Sequence, residues 1–436
     1  MEPLSSPAFP PASKLDWLAQ VRRELKDERA DELLRWHTPE GFTIDPYYTA
    51  DDLNSLAVSD LQDPQKAYPG WLNTPEYTLT NDPRSDNRHL RHALERGADA
   101  LLLNLPTQPD LARLLDGIKL SDTPVFFRLA GDASAFVRAL QTVAPYQLKG
   151  GLLTNNANLE ATQLTLDSPQ FRTLGISSHD FHNAGATATQ ELAFTLARLA
   201  ERFDSLTATG LQAEQIIQKT VLSVSVGTSY FLEIAKLRAL RVLIQRFYQR
   251  SSFITHHSSL VHCQTSSFYN ATATPYSNLL RATTEAMAAV VGGCDALTVQ
   301  PYDTLLNAPN EFSERIARNV SVLLRDESYF DKVADPSAGS YYIETLTHEL
   351  TERAWALFGQ VQGMGGLAKA FEMGFIQAEI ERAYQAKRQA VRDGRVLVGV
   401  NKYRFDEADN AIGEAVTLFR LPLSTLPDRR LAAEFE

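Results

Sequence analysis

The stretch that decides the fold runs from Asp295 to Thr347, bracketed by GCDALTVQPYD (293–303) and DKVADPSAGSYYIETLT (331–347). It reads as strand, loop, helix, strand, loop, helix. The first strand spans Gly293 to Val299, a helix covers Asn310 to Leu324, and a short second strand covers Lys332 to Ala334. A loop rich in Gly, Ser and Pro, Asp335 to Ser340, then opens onto a helix from Tyr341. Polar residues stand at the C-terminal ends of the strands, where parallel α/β folds bind ligands.

The same rhythm extends upstream. Apolar, β-branched strands are expected near residues 100 (ALLLNL), 124 (PVFFRLA), 151, 172 (RTLGISS), 221 (VLSVSV), 260 (LVHCQT) and 295, with an eighth near 332. Helices separate almost all of them, which means parallel pairing with both sheet faces covered. Eight such units over about 270 residues match a (β/α)8 TIM barrel. An open doubly wound sheet is the alternative, disfavoured because no glycine-rich phosphate loop follows the first strand. The expected class is therefore α/β: an N-terminal extended and helical arm over 1–70, a barrel over 71–345, and a C-terminal helical extension over 346–436. The arm carries a charged amphipathic segment, Asp16 to Trp36, and the aromatic run FTIDPYYTADDL. It has too little apolar surface to fold alone, so it must lie along the barrel or along another chain.

Bulk properties exclude several classes. The chain has 436 residues, 44% hydrophobic, with a net charge of −11. The charges are dispersed, with no basic stripe for nucleic acid. No apolar run reaches the ~18 residues that would span a membrane. The Pro/Ser-rich N-terminus does not read as a secretory signal. The two cysteines, Cys263 and Cys294, read as small buried residues in a reducing compartment, so the cytoplasm is the expected location.

Strand ends supply the candidate site. They are rich in hydroxyls and amides and poor in strong acids and bases: Asn104, Arg128, Asn155, Ser178, His179, Gln264, Ser266, Gln300, and Asp335 with Ser337 and Ser340. In the cluster His179, Asp180 and His182 (HDFH), Asp180 and His182 stand at i, i+2 with no third ligand at a diagnostic spacing, so it reads as a solvated, helix-capping loop rather than a metal site. His256 and His257 read as an exposed turn. His262 shares a strand face with Gln264 and reads as a hydrogen-bonded core histidine. No G-x-S-x-G elbow, P-loop, H-E-x-x-H or CxxC occurs.

Several long motifs are more specific. HCQTS (262–266), PYSNLLRATTEAMAAVVGGCDAL (275–297), FSERIARNVSVLLRDES (312–328) and KVADPSAGSYYIETLT (332–347) closely resemble the barrel domain of the methylmalonyl-CoA mutase family. So do AGATATQELAFTLA (184–197), FLEIAKLRALR (231–241) and VGVNKY (398–403). The resemblance implies a barrel that threads an acyl-CoA along its axis beneath adenosylcobalamin held by a separate domain. The cofactor carries the radical chemistry while the protein shields and orients it.

The departures from that pattern are as informative. Catalytic chains read I-S-G-Y-H-M-Q-E-A-G-A where this chain reads ISSHDFHNAGA (176–186), so the family's histidine falls at Asp180, a charge expected to lie near the substrate carboxylate. The loop expected to hold that carboxylate with an arginine reads LLTNNANLEA (152–161) here. YNATATPYSN (269–278) lacks the family's Glu and Gln, and Thr298 and Gln300 stand where His and Asn are usual. The family's cobalamin-binding domain is expected to be missing, since the chain ends soon after VGVNKY (398–403). The resemblance therefore implies a small, non-catalytic subunit that binds no cofactor or metal itself. Its large partner chain would carry adenosylcobalamin and interconvert methylmalonyl-CoA and succinyl-CoA, with no membrane or nucleic-acid partner. Asp180 marks the degenerate catalytic position; Asn155, Ser178, His179, His262, Gln264, Ser266 and Gln300 are barrel-mouth or vestigial substrate positions. Two alternatives stay open: a catalytic chain of a split mutase that recruits a cobalamin-binding protein, and a CoA-binding module without chemistry.

Overall fold

In the computed structural model of the chain, the described residues are 13–154, 159–250, 259–306, 310–404 and 426–436. Two five-stranded, wholly parallel sheets form the centre. They share two strands that are each broken in the middle. Strand β1 comprises Leu72–Asn73 and Glu76–Thr78; its first half pairs with one sheet and its second half with the other. Strand β5, Phe171–Arg172 and Leu174–Ser177, does the same on the opposite side. Between them lie β2 (Leu101–Leu105), β3 (Val125–Leu129), β4 (Gly150–Leu152), β6 (Thr220–Val226), β7 (Leu260–Thr265) and β8 (Ala296–Thr298). Counting each split strand once, the ring of pairings runs β1 to β8 and back to β1, as a (β/α)8 barrel requires.

Eight strands were expected, but not these eight. The segment near 332 is no strand: Phe330–Lys332 is a turn of 3-10 helix, and Val333 is exposed. The missing member is β1, whose sequence LNTPEYT lacks a β-branched run and contains Pro75. Proline has no N–H for the ladder. The break at Pro75 is where β1 changes partners, and its carbonyl still accepts from Leu102 N at 3.0 Å. The last two expected elements also shift in extent: β8 is shorter than 293–299, and the helix after it is Glu311–Asp326, capped by Asn310, whose side chain accepts from Phe312 N and Ser313 N. Since no strand precedes it, the loop Asp335–Ser340 does not lie at the barrel mouth. It is braced to the helix Tyr230–Arg250, where Arg238 bonds both Asp335 and Glu344, the latter at 2.9 Å. Glu344 also accepts from Gly339 N at 2.9 Å.

Tight packing within the ring shows at β4. A side chain on Gly150 would place its Cβ 2.0 Å from the Val125 carbonyl, and one on Gly151 would stand 2.2 Å from the Arg172 carbonyl. Only glycine allows the neighbouring backbones so close.

Outside the barrel, the arm splits in two. Phe42 and Ile44 are buried against the core, and Glu40 caps the helix Ala188–Ala208 by accepting from Ala188 N (3.0 Å) and Thr189 N (2.7 Å). The helix Lys14–Leu25, by contrast, buries no residue, and Leu15 and Leu33 are 76% and 73% exposed. At the other end, the helix Tyr341–Gly363 lies alongside Tyr230–Arg250 (Arg246 to Glu352, 2.7 Å), followed by Leu367–Glu372 and Phe375–Arg392. No helix among the described residues is long and apolar enough to cross a membrane. Cys263 and Cys294 are both free and buried.

Lys219 anchors the underside of β5 and β6. Its ammonium is fully buried and donates to three backbone carbonyls: Thr165, Ser168 (2.7 Å) and Phe171 (2.9 Å). Burial lowers its pKa to about 8, which still leaves it charged at neutral pH. Methionine there would strand three buried acceptors. Lys219→Met is expected to destabilise the chain by about 3 kcal/mol, a drop readable from the urea midpoint; an unchanged midpoint would refute this role.

Candidate functional site: the barrel lumen and its mouth

Parallel neighbours at equal height stack the interior into layers. Leu102 faces Phe126 in register, and with Ala100, Leu153, Val221 and Ala296 they form an apolar cluster separate from the core outside the ring. That cluster fills the lower lumen. The alternation that points Leu102 inward also sends Leu101, Leu103 and Leu105 outward to the helices.

Above it runs a chain of hydrogen bonds: Ser225 Oγ to His179 Nδ1 (2.7 Å), His179 Nε2 to Ser223 Oγ (2.8 Å), Ser223 Oγ to His262 Nδ1 (2.8 Å), and His262 Nε2 to Thr298 Oγ1 (2.9 Å). Thr298 Oγ1 ends the chain by donating to the Thr74 carbonyl at 2.6 Å. A carbonyl can only accept, so the order of protons follows from that end. Thr298 accepts from His262 Nε2–H, Ser223 donates to His262 Nδ1, His179 Nε2–H donates to Ser223, and Ser225 donates to His179 Nδ1. Both imidazoles are thereby assigned as the neutral Nε2–H tautomer. Burial, with Arg128 nearby, pushes His262 down to about 3 and His179 well below its ordinary value.

At the mouth, Glu76 of β1 is the hub. Its Oε1 accepts from Arg128 Nη1 of β3 and from Asn104 Nδ2 of β2 (2.7 Å). Its Oε2 accepts from Gln264 Nε2 of β7 (3.2 Å) and from Gln300 Nε2 just past β8. Arg128 Nη2 also donates to Gln264 Oε1 at 2.6 Å. The axis is thus occupied by the chain's own side chains at three levels: apolar, histidine–hydroxyl and charged.

The candidate residues divide on this geometry. His179, His262, Gln264 and Gln300 line the lumen together. Ser178 and Ser266 do not: they belong to a buried cluster behind the wall. Ser178 Oγ donates to Glu191 Oε1 (2.6 Å), and Ser266 Oγ bonds His182 Nε2 (2.7 Å). Glu191 also meets Lys236 (2.9 Å) and His182 Nδ1 (3.3 Å), and Lys236 meets Glu233 (2.6 Å). Burial works to raise the Glu191 carboxyl, but Lys236 and His182 prevail and hold it well below the carboxylate range. Lys236 is raised in turn, its two glutamates outweighing burial. Burial pushes Glu285, which accepts from Ser266 N, well above the usual range. Asn155, His256 and His257 lie outside the described residues.

HDFH is not a solvated loop. His179–Ala184 is a helical turn, and His182 is buried. Asp180 does not reach the lumen either. It turns away into a two-pronged pair with Arg198 (2.9 and 2.7 Å), whose guanidinium also bonds the Ser177 carbonyl and lies 4.3 Å over the Phe181 ring. The expected charge beside a substrate carboxylate is therefore neutralised elsewhere, and the imidazole facing the lumen belongs to His179, one position earlier. Glu76 was not anticipated because its strand was not; a lone acid directly after Asn73-Thr74-Pro75 was the available signal.

A parallel eight-stranded α/β barrel with a self-filled lumen defines the class. Comparison with known proteins places it further. The methylmalonyl-CoA mutase family profile matches residues 159–417. The chain is 32% identical to the methylmalonyl-CoA mutase small subunit of Porphyromonas gingivalis, over 94% of this chain and 72% of that one. It is 32% identical to the methylmalonyl-CoA mutase of Rhizobium meliloti, over 90% of this chain but only 64% of that protein. Among solved structures, a dihydropteroate synthase from Xanthomonas albilineans aligns at 12% identity with a TM-score of 0.35, covering 60% of this chain and 94% of that one. The chain belongs to the methylmalonyl-CoA mutase family.

The neutral histidines set a pH dependence. An unfolded histidine titrates near 6.5, whereas folded His262 titrates near 3. In that window the unfolded state binds the extra proton. Stability is therefore full above pH 6.5 and falls as pH drops, by about 1.4 kcal/mol per pH unit for this residue. His179 acts with the same sign. His89, raised by Glu314, acts with the opposite sign. Urea unfolding between pH 7.5 and 5 is expected to show a shallower slope in His262→Gln; an identical slope would refute the assignment.

Proposed function

We propose that this chain is the non-catalytic small subunit of a heterodimeric methylmalonyl-CoA mutase. Its large partner carries adenosylcobalamin and interconverts methylmalonyl-CoA and succinyl-CoA. The observation that carries this reading is Asp180. At the position where the family resemblance expects a histidine, this chain has an acid tied to Arg198 and turned from the lumen. The small-subunit relative from Porphyromonas gingivalis supports it. So does the donor set: both lumen imidazoles have both ring nitrogens engaged, so neither suits a cobalt ligand, and no step through the cofactor is assigned to this chain. The filled axis argues against the rival CoA-binding reading, since a pantetheine tail would need the space held by Phe126, His262 and the Glu76 cluster.

The arm is the proposed contact with the large chain. A helix of 12 residues that buries nothing is marginal in water. Covering Leu15, Leu25 and Leu33 on a partner supplies the missing apolar burial, roughly 1.5–3 kcal/mol for each leucine fully covered. Binding would then stabilise both chains by mass action. A cytoplasmic location belongs to the same reading, supported by the two unpaired thiols.

The test has two arms. Co-expressed with a full-length mutase chain, this chain is expected to co-purify in equal amounts, and Leu15→Asp with Leu33→Asp should weaken the complex at least tenfold. Mixed instead with a cobalamin-binding domain protein and adenosylcobalamin, it is expected to form no succinyl-CoA. Turnover in that mixture would overturn the reading in favour of a split mutase.

A further inference from the structure

The arrangement around Glu76 has the form of a ligand site. Four side chains from four other segments of the ring, Arg128, Asn104, Gln264 and Gln300, aim N–H donors at the two oxygens of one carboxylate, two at each. One donor group is a guanidinium, which carries the compensating charge and has the forked geometry that suits a planar anion. Asn104 is further fixed by donating to Thr78 Oγ1 (3.1 Å), and Arg128 by Gln264 Oε1, so the donors are held in place by neighbours as well as by the acid they bind. The group lies at the mouth, and the side chains of Glu76 and Arg128 keep 14% and 13% exposure, so the site is shielded yet faces the solvent side of the barrel. A buried ion pair made only for stability would be expected to do no better than an apolar replacement. Here four polar side chains from different parts of the ring converge on one carboxylate.

We propose that Arg128, Asn104, Gln264 and Gln300 form a carboxylate-recognition site at the barrel mouth, with Glu76 as its tethered occupant. An external carboxylate enters only by displacing that side chain. The tether makes Glu76 a strong competitor, because it has already lost the translational freedom that a free ligand gives up on binding. The unaltered chain is therefore closed to small carboxylates, and shortening Glu76 opens it. This inference rests on the self-filled lumen and not on the partner chain. Its readout needs no large subunit, so its failure would leave the subunit reading standing, and the reverse holds.

Glu76→Ala in the full chain provides the test, with acetate as the probe. At constant ionic strength, acetate is expected to raise the melting temperature of the variant saturably, by roughly 2 °C at ten times its dissociation constant. Acetamide and chloride should not, because they lack the planar two-oxygen anion. The unaltered chain should not respond, and neither should the double variant Glu76→Ala with Arg128→Met, in which the fork is gone. Should Glu76→Ala fold poorly in plain buffer, refolding yield takes the place of melting temperature, and recovery in acetate but not in acetamide is the expected result. Equal responses of the variant and the unaltered chain, no response of the variant, or equal failure to refold in acetate and acetamide would each overturn the proposal.

Discussion

Glu76 sits where β1 resumes after Pro75, and its carboxylate takes donors from β2, β3 and β7 and from the residue pair beyond β8. Leaving such an acid unpaired at this depth would be unfavourable by several kcal/mol. Among the described residues the opposite side of the ring shows no equivalent hub: there β5 closes the barrel through backbone pairing and through Lys219 beneath it. The barrel is thus held by polar contacts at its mouth and by apolar packing below. The same contacts fill the space that a ligand threaded along the axis would need.

Behind the wall a second polar system does different work. Glu191, Lys236, Glu233 and His182 tie the helices Ala188–Ala208 and Tyr230–Arg250 to the turn after β5, and Ser266 joins β7 to the same cluster. Every member is buried, so each charge depends on its neighbours for compensation. Asp180 and Arg198 form a separate pair at the edge of this system. The helical turn at 179–184 rotates Asp180 outward and His179 inward, so a one-position offset along the chain becomes a change of side. That rotation determines which residue meets the lumen.

Much of the fold was legible in the chain. Runs such as ALLLNL, PVFFRLA and VLSVSV become strands because apolar residues on both faces suit a sheet covered on both sides. The start of the helix near Asn310 was legible to within one residue; there a short polar side chain satisfies the free N–H groups of the helix start. The resemblance carried by HCQTS, AGATATQELAFTLA and KVADPSAGSYYIETLT placed the family. What misled was local: KVA looked like a strand by composition but pairs with no strand among the described residues, and LNTPEYT was not among the expected strands but is held as one on both sides. Pairing is not encoded in the segment itself.

By itself the sequence determined the alternation of strands and helices, the family, and the loss of the family's usual side chains at Asp180, Thr298 and Gln300. Those properties follow from local pattern and residue type. Only the tertiary structure decided which carboxylate stands in the mouth, that both lumen histidines are neutral, that Ser178 and Ser266 lie behind the wall, and that Asp180 is paired with Arg198. Each of these depends on which groups come within hydrogen-bond reach across the ring. Glu76 and Gln300 are 224 residues apart in the chain, and no local pattern could have brought them together.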